Sequence, residues 1–116
     1  MEKILIRFKN CPIGIGEKEV NMDKKYYIIR ADRAGVFAGY IKERNGSEIT
    51  LVNARRLWYW DGAASLSQLA VEGVKKPNNC KFTITVPEIT VLGVIEIIPC
   101  TTVAEEIIKK VKEWKI

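Results

Sequence analysis

The stretch Arg55-Arg56-Leu57-Trp58-Tyr59-Trp60-Asp61-Gly62-Ala63-Ala64-Ser65-Leu66-Ser67-Gln68-Leu69-Ala70-Val71-Glu72-Gly73 holds two guanidiniums, three aromatic rings in a row, a small-residue turn and a short apolar-periodic segment. Successive side chains of an extended chain point to opposite faces. An extended 55–60 therefore puts Arg56, Trp58 and Trp60 on one face and Arg55, Leu57 and Tyr59 on the other. One face can join a core. The other then shows arginine beside aromatic rings, where flat or anionic partners bind. The turn at 61–64 carries little side-chain bulk. Ser65 is a helix N-cap, and Gln68 three residues on completes a capping box. Leu66, Leu69 and Ala70 have helical spacing, and Gly73 suits the C′ position. A helix N-terminus, with free N–H groups able to hold an anion, thus follows the aromatic strand. The plainer alternative packs strand and helix into a core and leaves the arginines in water. The two readings are compatible.

Working outward, 26–32 alternates as a strand, Arg33-Ala34-Gly35 turns, and 36–43 is a second strand thinned at Gly39. Asn45-Gly46 predicts a type I′ hairpin, and 49–52 returns as a third strand. Asn53-Ala54 leads into the aromatic strand, continuously or through a bulge. Beyond the helix, 75–79 reads as a basic polar loop. Phe82, Ile84 and Val86 predict a half-buried strand ended by Pro87, and 88–98 a further strand interrupted by Gly93. Thr102 with Glu105 forms a second capping box. The following helix carries Ala104, Ile107, Ile108, Val111 and Trp114 along one stripe. Its glutamates lie early and its lysines late, matching the helix dipole. At the N-terminal end, 3–9 reads as a short strand and 10–16 as a loop. Gly14-x-Gly16 is not a phosphate loop, because no helix start follows. The expected fold is one α+β domain over 1–116, a twisted antiparallel sheet of about five to seven strands with helices at 65–72 and 102–114. Open strand edges in so small a sheet invite a homo-oligomer.

Composition narrows the function. The chain has 116 residues, 47% apolar and 28% charged, an ordinary globular balance. No apolar run approaches the roughly 18 residues of a membrane span. The first residues are too charged for a signal peptide, so a cytoplasmic protein that does not engage a membrane is expected. Cys11, Cys80 and Cys100 are scattered, and there is no histidine. That removes Ser–His and Cys–His nucleophile pairs within one chain and makes a zinc site improbable. Buried free thiols are expected, with no metal and no cofactor. A net charge of +5 favours anionic partners. A binder rather than an enzyme is expected.

The candidate ligand-binding residues are Arg55, Arg56, Trp58, Tyr59, Trp60, Ser65 and Gln68. Arg33, Tyr40 and Asn53 are possible supports on the same face. Tryptophan and tyrosine stack on nucleobases, arginine pairs bidentately with phosphate, and a helix start adds N–H donors. Together these needs describe a nucleotide or a short phosphodiester. Each supporting residue also has a plain structural reading: a solvated turn charge, a packed ring and a turn-former. Lys75 and Lys76 can add phosphate attraction or simply be solvated. A single-stranded nucleic-acid binder and a protein-interaction module are the competing classes.

The run 54–70 carries the pattern Arg-x-Trp-Tyr-Trp-x-Gly-Ala-x-Ser-Leu, with Gly35-Val36-Phe37-Ala38-Gly39 before it and Ile95-Glu96-Ile97-Ile98-Pro99-Cys100 after it. In these segments the chain resembles a family of small uncharacterised domains found mainly in bacteriophages and prophages. The likeness spans about residues 26–116 of the sequence. It implies a phage accessory protein made in the bacterial cytoplasm. The chain also looks like the phage sponge proteins that sequester cyclic nucleotide signals of antiphage systems such as CBASS, symmetric oligomers that bind without cleaving. That likeness transfers no site residue.

Overall fold

In the computed structural model, which describes residues 3–6, 18–21 and 25–116, strands form where the sequence alternates or is β-branched. In chain order they are β1 (Lys3–Ile6), β2 (Lys18–Asn21), β3 (Tyr26–Ala31), β4 (Gly35–Asn45) and β5 (Glu48–Tyr59), then β6 (Lys81–Phe82), β7 (Val86–Val91) and β8 (Val94–Pro99). Helix α1 (Leu66–Glu72) lies between β5 and β6, and α2 (Thr102–Lys110) follows β8. The fold is α+β, with six antiparallel strands between residues 26 and 99 and two helices. The antiparallel β1–β2 pair extends the sheet through β4. Cys11, the loop at 10–16, residues 7–9, residue 17 and residues 22–24 lie outside the described residues. No helix among the described residues is long and apolar enough to cross a membrane.

The order β8–β3–β4–β5 is continued by β7 and β6, which follow one another along the outer edge of β5. Strands β7 and β8 therefore lie on opposite edges of the sheet, yet only Leu92 and Gly93 join them. The sheet must coil until its edges approach. Asp32 N–H donates to Gly93 O (2.8 Å) and Val94 N–H to Ser47 O (2.9 Å), which ties both hairpin turns to this link. The coil does not close into a barrel.

Coiling gives two apolar layers. The inner one is built from strands alone and contains Tyr27, Ile29, Phe37, Ile41, Leu51 and Val91. The outer one packs Tyr26, Ile28, Leu57 and Phe82 against Leu69, Ala104 and Ile108 of the helices. β3 serves both layers, which explains its nearly unbroken apolar run. The β4–β5 hairpin bends at Gly39, where the register shifts between Ala38 and Tyr40. Asn53 opposite adopts φ 48°, and a Cβ on Gly39 would stand 2.7 Å from that of Ala54. Only glycine permits this approach, and the bulge supplies the curvature.

Several boundaries differ from those expected. β5 is one continuous bulged strand, so the third strand and the aromatic strand are the same element. Asn45 pairs with Glu48, leaving Gly46-Ser47 as the turn. Only Gly46 has positive φ (63°) there, the type II′ sign pattern rather than type I′. The strand expected at 82–86 stops at Phe82, and Pro87 lies inside β7, on an edge where its missing N–H costs no ladder bond. Gly93 separates two strands that never pair with each other. α2 is capped by Thr101, not Thr102: its hydroxyl accepts from Ala104 N–H (3.1 Å) and donates to Val71 O (2.6 Å), fastening α2 to α1. α2 ends at Lys110 rather than 114. Val111 is extended, Glu113 bridges Phe82 in parallel, and Trp114 N–H donates to Phe82 O (2.8 Å). Trp114 is therefore not on the helical stripe.

Candidate functional site

Past the bulge, β5 aims its two arginines in opposite directions. Arg55 points into the outer layer and is 3% exposed. Its Nε donates to Thr83 O (3.0 Å) and its Nη2 to Phe82 O (3.0 Å). Its Nη1 donates to Ile108 O (3.0 Å) and Val111 O (2.8 Å). One guanidinium thus satisfies the carbonyls left over at the end of α2 and ties them to β6. Arg55 does not present its fork on an open face as expected: four of its five N–H groups are used inside the fold.

Arg56 faces the other way, with its guanidinium 4.7 Å over the Phe37 ring. It shares a cavity of about 530 Å³ with Arg33 of the β3–β4 turn. Asp32, Phe37 and the run from Ile89 to Leu92, aliphatic except at Thr90, also line it. This cavity lies where the coiled sheet stays open, between the β3–β4 turn and β7. Its volume is within the usual range for small-ligand sites, roughly 300–1,000 Å³. Neither Arg33 nor Arg56 makes a side-chain hydrogen bond or ion pair among the described residues.

Beyond Arg56 on the same face stands Trp58, 63% exposed. β6 lies between β5 and the 112–114 segment, so Trp58, Lys81 and Trp114 form a row across three adjacent extended segments. The two indoles are parallel within 6°, their centroids 6.4 Å apart, and Lys81 Nζ lies 5.4 Å from the Trp114 ring centre. A register shift between Leu57 and Tyr59 breaks the alternation here. Trp60 consequently leaves the Trp58 face and packs against the outer layer, contrary to expectation, while Tyr59 stays about half exposed.

Tyr40 and Asn53 line a second cavity of about 250 Å³, together with Arg55. Tyr40 donates to Glu105 Oε2 (2.6 Å) and accepts from Lys109 Nζ (2.8 Å). Burial, and then the Glu105 hydrogen bond, raise the Tyr40 phenol above its ordinary value. Ser65 and Gln68 are elsewhere again, and both serve the helix. Ser65 Oγ accepts from Gln68 N–H (3.1 Å), and Gln68 Oε1 accepts from Ala64 N–H (2.8 Å), one residue further back than a capping box predicts. Gln68 Nε2 also donates to Glu72 (3.2 Å). Gly62 in the preceding turn has φ 94°, and a Cβ there would lie 2.5 Å from the Lys75 backbone nitrogen.

The expected single concavity of rings, guanidiniums and helix start is thus divided. Arg33, Arg56 and Trp58 lie along one open face. Tyr40, Asn53 and Arg55 surround a separate recess. Ser65 and Gln68 form a structural cap. Sequence reasoning overlooked Phe37, Lys81 and Lys109. Phe37 was legible as the cross-strand neighbour of Arg56 once the hairpin register was known, whereas Lys81 and Lys109 needed the tertiary structure. Cys80 and Cys100 are buried free thiols. Among the described residues no group of three acidic, cysteine or histidine side chains gathers as a metal site.

Residues 24–108 match the family described as Domain of unknown function (DUF6948), and the chain belongs to that family. No curated protein and no solved structure matches it.

Proposed function

We propose that the protein binds a cyclic nucleotide, or a related anionic nucleotide, at the Arg33–Arg56 cavity and holds it without cleaving it. The observation that carries this reading is a pair of guanidiniums, without ion partners among the described residues, lining a ligand-sized cavity together with a phenyl ring and aliphatic side chains. Arg33 and Arg56 would take phosphate oxygens, with Arg56 already held flat against Phe37. Asp32 would accept from a ribose hydroxyl. Trp58, further along the face, would stack on a base, a contact worth roughly 1–3 kcal/mol. In a bacteriophage setting this chemistry serves to sequester a cyclic dinucleotide immune signal in the host cytoplasm, as an anti-CBASS sponge. Retention of that kind requires slow release rather than transition-state complementarity. Strand β8, which pairs only with β3 among the described strands, offers the edge for a homo-oligomer.

The test is calorimetry with a panel of cyclic mono-, di- and trinucleotides, followed by chromatography of the recovered ligand. Saturable heat that disappears in Arg56→Ala and Arg33→Ala supports the proposal. An absence of heat across the panel removes it, and recovery of cleaved ligand makes the protein an enzyme. The Trp58–Lys81–Trp114 row favours a second reading, single-stranded nucleic acid running along the same face. Oligonucleotide affinity that falls steeply with salt, together with no response to cyclic nucleotides, would select it.

A further inference from the structure

Arg55 is a buried cation without a buried anion. Among the described residues it makes no ion pair, and all its hydrogen-bond partners are neutral carbonyls. The carboxylate that acts on it at longer range, Glu113, stands beside Thr85 at the rim of the same space: its Oε2 accepts from Thr85 N–H (3.1 Å) and its Oε1 faces Lys115 (3.8 Å). Burying an uncompensated charge is costly. Arg55 lines the 250 Å³ cavity with Tyr26, Tyr40, Asn53, Thr85 and Lys109. Lys109 is paired with Glu105 (3.4 Å), whereas no carboxylate among the described residues stands within ion-pair distance of Arg55.

The unused polar atoms around this space can all donate. Tyr26 is 1% exposed, and its hydroxyl has no hydrogen-bond partner among the described residues. A buried orphan of this kind is uncommon. Arg55 has five N–H groups, four of them bound to carbonyls, so one on Nη2 is unspent. Lys109 has one ammonium hydrogen beyond those given to Tyr40 and Glu105. Among the described residues, the Thr85 hydroxyl and the Asn53 side-chain amide also have no hydrogen-bond partner. No carboxylate lines the space. A recess lined by two cations, and by hydroxyl and amide groups free to donate, favours an acceptor-rich guest. At about 30 Å³ per water, the recess holds a small oxyanion and several waters.

We propose that this recess is a binding site for a small oxyanion of the phosphate class, which serves as the counter-ion of Arg55. The phosphate is either free or the terminal group of a larger molecule. The site is separate from the Arg33–Arg56 cavity and does not depend on any ligand there.

The experiment is thermal unfolding and calorimetry of the full chain with inorganic phosphate, using sodium chloride at matched ionic strength as the control. A second arm uses a phosphomonoester such as glycerol phosphate. Expected is a saturable rise in melting temperature with phosphate at one site per chain, absent with chloride. Tyr26→Phe removes only the orphan hydroxyl. It should leave the melting temperature in phosphate-free buffer unchanged or higher, and weaken phosphate about tenfold, the loss of one hydrogen bond to a charged group. Lys109→Met should weaken phosphate at least as much, and Arg33→Ala with Arg56→Ala should have no effect on it. A response to the phosphomonoester equal to that of phosphate assigns the site to a phosphoryl end group, and a response to phosphate alone assigns it to the free ion. No saturable rise beyond the chloride control overturns the proposal, and so does a Tyr26→Phe protein that binds phosphate as tightly as the parent.

Discussion

Replacing Arg55 by methionine separates a structural arginine from a ligand-binding one. Methionine keeps much of the apolar stem but none of the N–H groups, so the carbonyls of Phe82, Thr83, Ile108 and Val111 all lose a donor. Phe82 O and Ile108 O keep the N–H groups of Trp114 and Val111. Two acceptors, Thr83 O and Val111 O, are therefore orphaned at about 1–3 kcal/mol each, and two lose a charge-assisted bond worth about 1.5–3 kcal/mol each, roughly 5–12 kcal/mol together. Against this, the fold no longer buries a guanidinium, which returns several kcal/mol. The net loss expected is about 3–5 kcal/mol. For a urea dependence of about 1.5 kcal/mol/M, that lowers the unfolding midpoint by roughly 2–3 M. Arg55→Lys keeps the charge but cannot span four carbonyls, so it should recover only a minor part. Urea titration followed by far-UV circular dichroism reads both variants. An arginine facing solvent would change stability by less than about 0.5 kcal/mol. A methionine variant within that margin would refute the assignment of Arg55 to the fold.

Three further outcomes are expected. In a double-mutant cycle of Trp58→Ala and Trp114→Ala, the stacked indoles should show a coupling of about 0.5–1.5 kcal/mol by urea unfolding, and strict additivity would remove the stack. Burial, and secondarily Glu105, pushes the Cys100 thiol up to about 12, and burial likewise raises the Tyr26 phenol. The folded state thus holds protons that the unfolded state releases. Stability should be full below about pH 8.5 and fall above it by up to about 1.4 kcal/mol per pH unit for each such thiol. Cys100→Ala should flatten the decline between about pH 9 and 11, leaving the Cys80 and Tyr26 contributions, and an unchanged slope would contradict this. Gly62→Ala combines positive φ with a Cβ against the Lys75 backbone and should cost at least about 1–3 kcal/mol, measured as a drop in melting temperature; a neutral result would mean the turn relaxes freely.

The α+β class, the two helices and the course of the meander were legible because period-2 alternation and capping residues are local signals. The same alternation correctly separated Arg56 and Trp58 from Arg55 and Leu57. It failed at Trp60, because a register shift follows Leu57 and local pattern carries no register. It failed for the Val111–Trp114 end of α2, where a parallel bridge to Phe82 competes with helix continuation for residues that suit either state. The role of Arg55 was hidden for a similar reason. Its four acceptors come from residues 27 to 56 positions away, and no spacing rule connects an arginine to carbonyls so distant in the chain.

The two-residue link at Leu92–Gly93 has a consequence for how the protein is made. As the nascent chain leaves the ribosome, β3 is among the first of these strands to emerge, but the strand that covers its outer edge, β8, is synthesised more than sixty residues later. Until then β3 presents an unprotected apolar ribbon, and the outer layer has no α2 to lie against. Such late, non-local closure favours folding in milliseconds to seconds rather than microseconds. A truncation before Val94 should therefore accumulate as aggregate in the cell rather than as a smaller folded domain.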